Sequence, residues 1–142
     1  MVTTNPDKYI RKAVFDATNN IVVSGKTIKT FDSRLTGNEN LTEYILMTAQ
    51  DKDVLKNTKC EYEWEASLLI EIYTRYSSVG NAGSRLLLND IEQAVMDALN
   101  PKLTIQGFTN VTQNITYETS LETVTDTDNV YRSFLRLNLI LK

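Results

Sequence analysis

The 142 residues include no histidine, one cysteine, two prolines and five glycines. Each shortage removes a class of chemistry or architecture. Without histidine the sequence lacks the commonest general base, the commonest metal ligand and the side chain that titrates near neutral pH. Ser-His-Asp and Cys-His arrangements cannot be assembled from these residues. The lone Cys60 cannot form an intramolecular disulfide, so the sequence does not read as a disulfide-stapled secreted domain. Its expected role is a small, half-buried thiol where the chain enters a strand. No basic-then-apolar segment opens the sequence, and no apolar run approaches the ~18 residues of a membrane span. A net charge of −3 leaves no global basic field to draw the protein onto DNA or an anionic membrane. These absences imply a soluble protein folded in a cytoplasm, with no cofactor, no metal and no membrane partner.

What the sequence does have is one long alternating segment, Glu61 to Tyr76. Side chains alternate across a strand with period two, so Tyr62, Trp64, Ala66, Leu68, Ile70 and Ile72 share one face. Glu61, Glu63, Glu65, Ser67 and Glu71 share the other. The first face is built for burial and the second for water. After Val79-Gly80-Asn81-Ala82-Gly83 the apolar period changes to 3.6, and Leu87, Leu88, Ile91, Ala94, Val95, Ala98 and Leu99 form the stripe of a helix over 84–99 that Asn100-Pro101 stops.

Around this core the remaining elements follow from local signals. Asn5-Pro6-Asp7 is a helix start, with Asn5 as cap, and Tyr9, Ile10, Ala13, Val14 and Ala17 form the apolar face. Ile21 to Val23 reads as a strand, Ser24-Gly25-Lys26 as a turn, and Thr27 to Leu35 as a polar edge strand. Tyr44 to Thr48 is an apolar strand near the sheet centre, and Asp51 to Lys59 a charged connection. Leu103 to Phe108, Val111 to Thr119 and Tyr131 to Leu141 read as strands, with the polar stretch Ser120 to Asn129 extending a hairpin or remaining mobile. The order predicts an α+β fold: one domain over 1–142, with a mostly antiparallel sheet and two main helices on one face.

Candidate sites are few. Gly80-Asn81-Ala82-Gly83-Ser84 stands between strand and helix, where backbone N–H groups can cradle phosphate, but neither P-loop nor dinucleotide spacing is present. Asp126-Thr127-Asp128-Asn129 lacks the glycine and the later glutamate of a calcium loop and reads as Asx turns. Glu61, Glu63 and Glu65 stand ~6.5–7 Å apart along one strand face, by the strand rise. Three in a row on an open face suit a wet edge or a surface that meets a basic neighbour. Arg132 and Arg136 on the final strand are candidate partners, within the chain or across subunits. Tyr73 and Tyr76, with Arg75 between them, are the aromatics expected at an interface.

The strand end Ile72-Tyr73-Thr74-Arg75 resembles the aromatic–Ser/Thr–Arg end of the central strand in the tail terminator (tail-completion, minor tail) proteins of tailed bacteriophages. The helix Ile91-Glu92-Gln93-Ala94-Val95-Met96-Asp97-Ala98-Leu99, the turn Val23-Ser24-Gly25-Lys26-Thr27-Ile28 and the strand Tyr44-Ile45-Leu46-Met47 continue the likeness, which covers about residues 6–108. The resemblance implies a non-enzymatic virion protein, made in the host cytoplasm. It would form a homo-oligomeric ring, typically a hexamer, at the head-proximal end of the tail. Its partners would be tail-tube and neck or connector proteins, with DNA passing through the lumen unread. Glu61, Glu63, Glu65, Tyr73, Arg75, Tyr76, Arg132 and Arg136 would then be subunit-interface residues. A head-closure or neck adaptor follows the same assembly logic, and a small-ligand-binding α+β module, with Tyr62, Trp64 and Tyr73 lining a pocket, is the reading from another class.

Overall fold

The structure, a computed structural model, describes residues 4–32, 42–57, 62–77, 84–118, 120–124 and 128–142. Cys60, Glu61, the loop 79–83 and residues 126–127 lie outside the described residues. Pro6 holds helical backbone angles (φ −79°, ψ −13°), and Asn5 Oδ1 accepts the Asp7 N–H at 3.0 Å. Helix α1 (Asp7–Thr18) starts one residue later than its sequence predicts, with Pro6 in the cap position, and it buries Ile10, Val14 and Thr18.

Strands β1 (Ile21–Val23) and β2 (Lys26–Ile28) form an antiparallel hairpin. Its two-residue loop holds Ser24 at φ 50° and Gly25 at φ 77°. Two left-handed residues in succession match the twist of the flanking strands, and glycine reaches that conformation without a Cβ penalty. The single strand expected over Thr27 to Leu35 is instead divided. Among the described residues only β3 (Thr30–Asp32) of this segment joins the main sheet, running parallel to β4 (Glu43–Asn57); residues 33–35 lie outside the described residues. The break is stabilised locally, because Asn19 Oδ1 accepts the N–H of buried Thr30 at 3.1 Å and the Thr18 and Thr30 hydroxyls meet at 2.9 Å.

β4 also corrects an expectation. Asp51 to Asn57 is strand, not a connection. A bulge between Met47 and Gln50 adds one residue, so Ile45 and Met47 point into the core before it and Gln50 and Lys52 turn towards α1 after it. There Lys52 Nζ meets Asp7 Oδ2 at 2.5 Å. The charges that look like loop composition thus occupy alternate faces of a strand. β5 (Tyr62–Ser77) is the long strand anticipated, and α2 (Ser84–Leu99) follows it with Leu87, Leu88, Ile91, Val95 and Leu99 buried.

Leu103 to Phe108 is irregular, not a strand. Its backbone turns at Gly107 (φ 83°), and Gln113 holds the segment. The Gln113 amide donates to the Leu99 and Pro101 carbonyls at 2.5 and 2.9 Å and accepts the Leu103 N–H at 2.8 Å. Three further strands complete the described chain: β6 (Asn110–Tyr117), β7 (Leu121–Val124) and β8 (Asp128–Leu141). The polar stretch after Tyr117 extends a hairpin, since β7 pairs with β8.

The main sheet has the order β3-β4-β5-β8-β6, with β7 beside β8, and every pairing except β3–β4 is antiparallel. Both helices cover the face that carries Leu68, Ile70 and Ile72 of β5 and Leu135, Leu137, Leu139 and Leu141 of β8. The fold is α+β, as the element order predicts.

Candidate functional site

The other face of the sheet carries no helix among the described residues. The register sets Tyr73 opposite Arg132, Glu71 opposite Phe134, Leu69 opposite Arg136 and Glu65 opposite Ile140. Two chemically different ends result. Towards one end, β4 and β5 place Asp53 directly across from Glu65 and Asp51 across from Ser67. Opposed carboxylates repel, so this end favours a cationic neighbour.

The other end is aromatic and cationic. Tyr44 and Leu46 point outward yet are only 8% exposed. Tyr44 stacks on Tyr73 with centroids 4.5 Å apart and meets Phe31 edge-on at 6.2 Å. The Arg132 guanidinium lies 5.7 Å from the Tyr73 ring centre and 3.5 Å from Glu71 Oε1. Burial, with the neighbouring Tyr73 and Glu71 adding to it, pushes the Tyr44 phenol up to about 12.

Between the ends, Arg136 reaches Glu118 Oε1 and Ser67 Oγ, both at 3.2 Å, and Asp51 Oδ2 at 3.9 Å. It forms the wall of a cleft of about 230 Å³ with Leu69, Glu118, Leu121 and Phe134. The two arginines proposed as interface residues therefore also hold cross-strand partners within the chain. Glu63 and Glu65 sit on β5 several turns of the pleat away from Tyr73 and Arg75, so the expected interface residues do not converge on one point. Glu61 and the Tyr76 side chain lie outside the described residues.

Sequence reasoning missed three contributors: Asp51 and Asp53, assigned to a connection, and Tyr44, assigned to the sheet centre with no partner named. The alternation Asp51-Lys52-Asp53-Val54 was the available signal for the first two. It also missed the lateral edges. Among the described residues β6 pairs only with β8, and β4 beyond Met47 pairs only with β5. A groove of about 460 Å³ runs beside β6 and beneath α2, lined by Met96, Leu99, Ile115 and Tyr117 among others. Among the described residues no group of three or more Cys, Asp or Glu side chains is placed to hold a metal, and no helix is long and apolar enough to cross a membrane.

This arrangement suits contact with other macromolecules over a sheet face and its edges. No family model matches the sequence, and no curated protein matches it. A chain from the virion of a native gene transfer agent particle does match in structure, with a TM-score of 0.69 at 13% identity. The two chains share a fold. The match covers 96% of this chain and 98% of that one, so neither carries a large element that the other lacks.

Proposed function

We propose that the chain is a structural protein of a phage-like virion and, within it, a tail terminator. Copies would form a closed ring at the head-proximal end of the tail, between tail tube and neck. The near end-to-end fold match to a chain of a gene transfer agent virion carries the reading. The likeness of Ile72-Tyr73-Thr74-Arg75 and of the 91–99 helix to tail terminators supports the finer position. A ring requires two different, complementary surfaces on each subunit. An acidic sheet end and an arginine–aromatic end on one open face supply such a pair. A net charge of −3 fits a lumen through which DNA passes without being held. The protein would act by assembly, without catalysis, as one domain.

Native mass spectrometry and light scattering from low micromolar to hundreds of micromolar protein test the reading. A closed-ring mass, most simply a hexamer, is expected. A strict monomer at every concentration would overturn the ring and favour a ligand-binding module. Capture of portal-ring subunits in preference to tail-tube subunits would move the ring to a head-closure position.

A further inference from the structure

Edge strands usually carry charge, proline or a bulge that discourages another strand from pairing with them. β6 runs for eight residues, Asn110 to Tyr117, with no charged residue and no proline; its irregularity lies only at the Asn110/Thr112 end. The Glu118 N–H donates to the Phe134 carbonyl, so by antiparallel alternation the N–H groups of Thr116 and Asn114 face β8. Those of Tyr117, Ile115 and Gln113 then face outward, away from β8. The groove beneath α2 lies beside this edge, and its Met96, Leu99 and Ile115 would receive side chains from one more strand. Tyr117, 59% exposed, and Val111, 42% exposed, flank the row.

The opposite side of the same sheet has a second strand edge, which carries charges of both signs and a register shift between Val54 and Lys56. Past Met47, β4 has no second strand beside it among the described residues, though Gln50 and Lys52 hold α1, and beyond them Val54 and Leu55 are 42% and 46% exposed. Most of the large apolar side chains exposed on the sheet lie on these two edges. The segment Asp51 to Asn57 holds two acidic and two basic residues, so it brings no net charge against β6, beside which stand Lys102, bonded to the Val111 carbonyl, and Asp97 in the groove. We propose that the two edges pair with each other between copies: the β6 edge of one protomer takes the β4 edge of the next, and the main sheet continues across the subunit boundary. Backbone hydrogen bonds would join the strands, and Val54 would enter the groove beside Ile115 and Tyr117. Because the edges differ, the contact is heterologous and propagates round a ring instead of closing a dimer.

The inference rests on the ring reading, and the test separates the two. Tyr117→Lys places a charge on the β6 edge, and Val54→Lys does so on the β4 edge. Circular dichroism and melting confirm folding, with Val111→Lys and Leu55→Lys as second variants of the same edges. Each single variant should be monomeric by native mass spectrometry, with association weakened at least tenfold. An equimolar mixture of Tyr117→Lys and Val54→Lys should give a dimer of twice the 16.1 kDa chain and nothing larger, since only one intact pair of edges remains. A ring that survives both substitutions overturns the edge pairing and leaves the ring reading standing. Dimers of Val54→Lys alone would show β6 pairing with itself and also overturn it. A wild-type chain that never exceeds monomer mass overturns the ring and the pairing together.

Discussion

The two faces of the central sheet are built from the same strands and obey opposite rules. Along β8, Leu135, Leu137, Leu139 and Leu141 are at most 1% exposed, while Arg132, Phe134, Arg136, Asn138 and Ile140, interleaved with them, look outward. The inner set gains its energy from excluding water beneath two helices. The outer set gains little from folding and remains available to neighbours. Stability and recognition are thus separated by a single step along the chain, and a change of one residue in register would exchange them.

Truncation on each face of the same strand gives the largest contrast. Leu137→Ala should cost about 3 kcal/mol, because it removes a fully buried side chain and leaves a cavity. Phe134→Ala, on the outer face, should cost about 1 kcal/mol. Denaturant unfolding of both variants checks the comparison, and equal losses would show the outer face to be a second core.

Tyr44 sharpens it, since it is buried on the outer face. Its phenol loses a proton less readily in the folded chain, near 12, than in the unfolded chain, near 10. The unfolded state therefore ionises first, so the stabilisation is fully present below pH about 10 and should be lost as pH rises from about 10 to about 12. Thermal melts across the range should show the decline in wild type and a shallower one in Tyr44→Phe.

The smallest effect on folding belongs to Arg132→Glu. Arg132 is half-exposed while Glu71 beside it is mostly covered, so the melting loss should correspond to about 1 kcal/mol. Association measured by light scattering should weaken more than that. A large loss of melting temperature with association intact would assign Arg132 to folding alone.

Much of this is legible in the sequence. The long strand β5 and the helix α2 repeat their apolar patterns over several periods, so a few exceptions do not obscure them. The same alternation assigned Arg132 and Arg136 to the polar face of β8. What they touch was not legible, because Glu71, Asp51 and Glu118 meet them through strand register, which no local pattern encodes. The second half of β4 was lost to its charges, whose strand state depends on β5 beside it and α1 beneath it. Leu103 to Phe108 reads as a strand, yet alternating apolar residues also suit an irregular segment, here fastened by the amide of Gln113. The lateral edges left one faint trace, the absence of charge in Val111 to Tyr117.

The position of β8 has a consequence in time. It lies between β5 and β6 and also carries β7, joining Ser77 to Asp128 and Trp64 to Leu141. A ribosome makes it after every strand it must join. Until it emerges, β5 is paired on one side only, β6 and β7 have no ladder, and α2 rests on half a floor. Contacts so distant in sequence form slowly. The nascent chain therefore holds its adhesive strands unpaired until its last strand has been made.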